Sequence, residues 1–162
     1  MAKVRNILPL TIEWTNENRR EVFVDSLVKK YNWTVGCEVG VRFGRTLFYL
    51  LDSNPNLKMY AVDKDVSQFY NSSVKEKYKD RLVVLEGISW EQAEHLPMID
   101  FAFIDAGHSY KNVSRDIVAY DQKIKDVNGL LGHDVDYPSI QRALKSFDIS
   151  YGVGPDNVWF RI

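Results

Sequence analysis

"GCEVGVRFGRT", residues 36–46, is the stretch on which the fold turns. An apolar run enters it and an apolar, helix-length segment, "RTLFYLLD" (45–52), leaves it. Glycines at such a junction let the backbone turn tightly and come close to a ligand. The helix N-terminus beyond Gly44 also presents unpaired N–H groups to an anion. The spacing is not the G-x-G-x-x-G of dinucleotide enzymes: Gly40 and Gly44 are four apart, and Glu38 precedes the first. There is no Walker lysine, so a P-loop is excluded. About twenty residues further on, Asp63 closes the apolar run "KMYAVD" (58–63). In a doubly wound sheet that position reaches ribose hydroxyls. Taken singly, the glycines make a strand–helix turn and Asp63 caps the next helix. Together, at this spacing, they point to a nucleoside-binding crevice.

Working outward, strand-length apolar runs alternate with helical patterns, which argues for βαβ units and a parallel sheet. The strands are expected at "TVGCEVG" (34–40), "KMYAVD" (58–63), "RLVVLEG" (81–87), "MIDFAFIDA" (98–106) and "GLLGHD" (129–134). The tail "ISYGVGPDNVWFRI" reads as two short strands around a turn. Helices are expected over 17–31 with Thr15 or Asn16 as cap, over 45–52, after Asp65 as cap with Gln68 completing a capping box, around "SWEQAEHL", over 112–125 with Asn112 as cap, and after Asp136 with Pro138 in the first turn. The expected architecture is an α/β, doubly wound, mainly parallel sheet of about seven strands, the last antiparallel, with helices on both faces. One domain spans 1–162: an N-terminal segment and helix (1–32), then the core (33–162).

Bulk properties narrow the function. The 162 residues are 45% hydrophobic and 27% charged, with net charge −1, an ordinary globular composition. "KEKYKDR" (75–81) mixes signs and reads as a solvated helix end, so no nucleic-acid partner is indicated. Cys37 is the only cysteine, which rules out an internal disulfide and suits a reducing compartment. No apolar stretch reaches membrane-spanning length, and the N-terminus makes a poor signal peptide. A cytoplasmic location is expected.

In order, "CEVGVRFGRT", "YAVDKD", "FIDAGHSYKNVSRDI" and "GLLGHDVDYPSIQRAL" resemble the successive motifs of class I S-adenosylmethionine-dependent methyltransferases. Within that class the chain is similar to the small-molecule O-methyltransferase branch with a D-x-x-H-x-Y segment and a later H-D pair. The resemblance covers roughly residues 34–147 and implies a Rossmann-like fold. It also implies roles. Glu38 and Gly40 lie against the amino-acid end of the cofactor, with Gly44 closing the loop at the helix. Asp63 holds the ribose, and Lys64, Gly87, Ile88 and Ser89 flank the adenosine. Trp90 is either stacked near the adenine or packed under the short helix. The loop departs from the richest family pattern by lacking a middle glycine, with Arg42 and Phe43 there instead.

In this topology the fourth and fifth strands are neighbours, roughly 5 Å apart, and end on the ligand side of the sheet. Asp105 ends one and Asp134 the other. Two carboxylates so placed repel unless a proton or cation lies between them. Oxygen donors suit Mg²⁺, and the nearby nitrogens of His108 and His133 extend the site toward Mn²⁺. The resemblance implies Asp105 and Asp134 as metal ligands, with Asp105 also beside the cofactor. It implies His108 as ligand or general base, and His133 where other branches carry a carboxylate ligand. The structural alternatives are that Asp105 and Asp134 are caps and the histidines packing residues. His95 reads as structural, Asp116 as a surface or packing residue, and Tyr110 as a brace or a pocket wall.

The expected activity is metal-assisted O-methylation from S-adenosylmethionine onto a hydroxyl of a small-molecule or glycan-like acceptor. With no inserted cap, the pocket is expected to be open, to be completed by a second copy, or to take a large substrate. The competing readings are a catalytically silent S-adenosylmethionine-binding module and a nicotinamide-dependent oxidoreductase. The second of these fits the sheet but not the loop spacing.

Overall fold

The apolar runs become strands and the amphipathic segments pack across them in a computed structural model that describes residues 19–162. The strands are β1 (Val35–Val39), β2 (Lys58–Asp63), β3 (Leu82–Glu86), β4 (Phe101–Ile104), β5 (Leu130–Gly132), β6 (Tyr151–Val153) and β7 (Trp159–Arg161). The helices are α1 (Arg20–Tyr31), α2 (Arg45–Ser53), α3 (Ser72–Tyr78), α4 (Ser89–Gln92), α5 (Tyr110–Asp121) and α6 (Pro138–Ser146). The sheet order is β3-β2-β1-β4-β5-β7-β6. β1 to β5 are parallel, and β7 runs antiparallel between β5 and β6. This is the expected doubly wound sheet. β1 and β4 flank the point where strand order reverses, so a crevice opens above their C-terminal ends.

Side chains alternate across each strand. Met59, Ala61, Phe101, Phe103 and Leu131 face α1 and α2, where Val24, Leu27, Val28, Leu47, Leu50 and Leu51 meet them. Cys37, Val39, Val62 and Ala102 face Ala93, Ala119 and Tyr120 on the other side. Ile104 and Leu130 pack on α5 and α6. Leu47, Leu50 and Leu51 are wholly buried, and each contributes roughly 1.5–3 kcal/mol through burial. The α2 N-terminus is thereby fixed over the end of β1.

Several expected boundaries move. The helix after β4 begins at Tyr110, and the Ser109 hydroxyl, not Asn112, caps it by accepting from the Asn112 N–H at 3.2 Å. Asp65 caps only a 3₁₀ turn over Val66–Gln68, with Gln68 donating back to it. A separate helix, α3, starts after Asn71, whose side chain accepts from the Val74 N–H. Asp136 caps nothing: Tyr137 stands at the α6 N-cap without a side-chain bond, and Pro138 removes one of the donors that would need one. Thr15 and Asn16 lie outside the described residues. Among the described residues, no helix is long and apolar enough to cross a membrane.

Candidate active site

β1 delivers Glu38 to the crevice floor. It is 3% exposed. Burial pushes its pKa well up, and the nearby Asp105 charge adds to this, while Arg20 and the Leu47 N–H pull back. The Leu47 bond serves an α2 donor that has no side-chain cap of its own. The second carboxylate oxygen, Oε2, is buried without any partner. A buried acceptor left unpaired costs about 1–3 kcal/mol, so the fold holds Glu38 ready for a donor it does not itself supply.

The glycine loop follows. Gly40 adopts φ +87° and Gly44 φ +79°, which L-residues avoid. A Cβ on Gly40 would run into the Asp105 backbone, and one on Gly44 into the Phe48 ring. The glycines thus allow close approach of β4 and α2 to the loop. Asp63 clasps the loop from β2. Its Oδ2 accepts from the Val41 and Arg42 N–H groups at 2.7 and 2.8 Å, and Oδ1 accepts from Asp65 at 3.0 Å. An ionised carboxylate offers about four acceptor positions, and three are filled; Lys64, the next residue, is exposed. Opposite, Gly87, Ile88 and Ser89 form the β3–α4 turn. Ile88 is exposed, and the Tyr120 hydroxyl donates to the Ser89 carbonyl at 2.6 Å. Trp90 packs half-buried under this turn with Arg115 over its ring.

The tips of β4 and β5 bring the second group together. Asp105 N–H still donates to Val39, and His133 N–H to Ile104, so both residues are held by sheet bonds. Asp134 turns the chain with φ +58°, a conformation short polar side chains tolerate. One oxygen each from Asp105 and Asp134 and one nitrogen of His108 lie within 4.8 Å of one another. His108 Nε2 is 2.5 Å from Asp134 Oδ2, and its ring stacks on Tyr137 with centroids 5.0 Å apart. His133 Nδ1 lies 3.0 Å from Asp134 Oδ1 and 3.4 Å from Asp105 Oδ1. Burial lowers the His133 pKa, but the bond and charge of Asp105 and the charge of Asp134 outweigh it, and the net shift is upward.

Asp105, His108, His133 and Asp134 therefore come together, with two additions. Arg20, the first residue of α1, places Nη1 3.0 Å from Asp105 Oδ2. Asp156, in the β6–β7 turn, reaches to 3.6 Å of His133 Nε2. In sequence, Arg20 is one charge in a charged helix start and Asp156 one polar residue in a turn. Tyr110 braces α6 through Ser146 and Arg142. His95 is exposed beside Glu94. Asp116 is not at the surface but wholly buried.

Donor chemistry fits the two groups the motifs imply. The orphan Glu38 oxygen suits an ammonium or amino donor, and the O, N, O set at the strand tips suits a hard divalent cation. The His108 side chain, 44% exposed, and the exposed Tyr137 border the strand tips.

Residues 37–135 match the family described as a methyltransferase domain. No curated protein matches the chain by sequence. Among solved structures, a Staphylococcus aureus protein provisionally assigned as a caffeoyl-CoA O-methyltransferase superposes with a TM-score of 0.70 at 12% identity, over 88% of this chain and 82% of that one. The O-methyltransferase TomG of Streptomyces achromogenes, solved with S-adenosylmethionine, gives 0.66 at 10% identity over 87% and 78%. A precorrin-6y C5,15-methyltransferase of Geobacter metallireducens gives 0.65 at 14% over 93% and 92%. Such identities speak for the fold, and the matched family for the kind of enzyme: the chain belongs to the methyltransferase-domain family and has the fold of the class I S-adenosylmethionine-dependent methyltransferases.

Proposed function

We propose that the protein transfers a methyl group from S-adenosylmethionine to a hydroxyl of a small-molecule or glycan-like acceptor, assisted by a divalent cation. The observation that carries this reading is the meeting of Asp105, His133 and Asp134, with His108 beside them, at the tips of β4 and β5, near the unpaired oxygen of Glu38. S-adenosylmethionine, when bound, supplies an electrophilic methyl group on a sulfonium. A cation such as Mg²⁺ or Mn²⁺ lowers the pKa of a hydroxyl that it touches.

This chain's residues do the rest. Glu38 receives the cofactor's ammonium group. Asp63 takes the ribose with its remaining acceptor position, and Lys64, Gly87, Ile88 and Ser89 border the adenosine. Asp105 and Asp134 hold the cation with His133 Nδ1 as the third donor. His108, with its side chain 44% exposed, would take the acceptor's proton at Nδ1, the ring nitrogen that does not face Asp134. Asp134 orients the imidazole and stabilises the imidazolium that forms. Positioning is the other half, because methyl transfer is an in-line displacement and the acceptor oxygen must sit behind the methyl group.

The reading is tested by methyl transfer from labelled S-adenosylmethionine to a panel of phenols, sugars and polyols, with Mn²⁺ or with chelator. His108→Gln should lower turnover by about 10²–10⁴ while S-adenosylhomocysteine still raises Tm. Full activity in that variant would remove His108 as the base. A second reading, a silent S-adenosylmethionine-binding module, is favoured by one fact: both strand-tip carboxylates already face protein groups, the Arg20 guanidinium and the His108 imidazole. Thermal stabilisation by S-adenosylhomocysteine with no turnover on any hydroxyl acceptor would favour it.

A further inference from the structure

Arg20 stands where the cation reading needs an open carboxylate. Its Nη1 contacts Asp105 Oδ2 at 3.0 Å and His133 Nδ1 at 3.2 Å. The pairing is one-sided. A guanidinium has five N–H donors arranged for bidentate contact with a carboxylate. Here a single nitrogen meets Asp105, while Nε is buried without a hydrogen-bond partner. Asp156 Oδ2 lies 4.0 Å from that Nε, a second carboxylate within a small movement.

The helix carrying Arg20 does not depend on this contact. Glu21, 1% exposed, binds Arg45 of α2 at 2.9 Å. Asp25 accepts from Asn54 at 2.6 Å. Val24, Leu27 and Val28 sit in the core. Arg20 can therefore leave Asp105 while α1 stays docked. Arg20 Nη1 covers both Asp105 Oδ2 and the His133 Nδ1 that would serve as the third donor, and a doubly charged ion brought to the same atoms meets repulsion from the guanidinium. A divalent cation held by Asp105, Asp134 and His133 Nδ1 therefore competes with Arg20 in its observed position.

We propose that Arg20 is a resident counter-ion that a divalent cation must displace from Asp105, moving toward Asp156 as the cation loads. The inference rests on the cation reading of the strand-tip cluster. In the unloaded protein Arg20 neutralises Asp105 and keeps the two carboxylates from repelling. It also sets the threshold for loading, since only an ion with more charge to offer both carboxylates replaces it.

The test is Mn²⁺ binding, read as loss of the free Mn²⁺ paramagnetic resonance signal, to the whole wild-type chain, Arg20→Gln and Arg45→Gln. Arg20→Gln should bind Mn²⁺ at least tenfold more tightly, and Arg45→Gln as the wild type does. Equal or weaker binding by Arg20→Gln, or equal tightening in both variants, overturns the competition and leaves the cation site standing. Absence of binding to wild type and Arg20→Gln alike overturns the cation site and the competition together. The Arg20 Nε–H resonance of the wild type gives a measure that needs no variant to fold. Saturating Mg²⁺ should shift it as the guanidinium leaves Asp105, and an unshifted resonance overturns the proposal.

Discussion

Asp63 holds the loop and faces the crevice with the same carboxylate, so its substitution should register twice. Asp63→Asn keeps one acceptor oxygen for Val41 and Arg42 but loses the charge and a second acceptor. Binding of S-adenosylhomocysteine should weaken tenfold or more, as expected for a charged hydrogen bond of roughly 1.5–3 kcal/mol. Calorimetry showing an unchanged Kd would withdraw Asp63 from the cofactor site and leave it as a loop clasp. Glu38→Gln isolates the other end. Its carboxylate is buried and its pKa well raised, so the neutral amide should fold as well as the wild type yet bind S-adenosylhomocysteine several-fold more weakly. Legibility at this scale followed one rule. Asp63, Asp105 and Asp134 were readable because each interrupts an apolar run at a strand tip, where a charge has no cheap structural reason to be. Arg20 and Asp156 were unreadable because Asp105 lies 85 residues from Arg20 along the chain, and all of α6 and β6 separates His133 from Asp156. Nothing local distinguishes them from solvated charges.

Among the helices, α5 carries the least explained group in the protein. Asp116 is fully buried and neither carboxylate oxygen has a hydrogen-bond partner. Burial raises its pKa to about 6, with the Ser89 side chain offsetting part of the rise. A carboxyl whose folded pKa is raised favours the native state fully below the unfolded value near 4. That contribution is lost as pH climbs through about 6. Urea unfolding of wild type and Asp116→Asn should therefore diverge with pH. Between pH 4 and pH 8 the wild type should lose on the order of 3 kcal/mol relative to the variant. A constant difference would show that Asp116 titrates normally. The cap of the same helix gives a second check: Ser109→Ala should cost about 1 kcal/mol, whereas Asn112→Ala should cost little as a cap. The element order was legible from apolar periodicity. The caps at Asn112 and Asp136 were misplaced because several capping residues stand in a row there, and only tertiary packing chooses among Ser109, Asn112 and none.

At the scale of the molecule, the sheet is one continuous surface that ties the crevice to its far edge. Trp159 of β7 is wholly buried, lies against Gly132 at the tip of β5, and packs with Ile140 and Leu144 of α6. Trp159→Ala should cost about 3–5 kcal/mol, a large part of the 5–15 kcal/mol by which a domain of this kind is stable. It should also loosen His133 and Asp134, which follow Gly132 directly. Chemical denaturation with Mn²⁺ present and absent would separate the two effects. The pairing of β4 with β5 was readable because the resemblance implies it. The placement of β7 inside β6 was not, since a terminal hairpin can dock by either strand.

That placement has a consequence for synthesis. β6 leaves the ribosome before β7, yet β6 touches the sheet only through β7. Until residues 159–161 emerge, β5 presents a bare edge of unpaired amides and carbonyls, the kind of surface that recruits strands from other chains. The crevice wall bearing His133 and Asp134 is thus the last part of this sheet to solidify during translation, and nascent chains stalled before residue 159 are the ones expected to need chaperone protection.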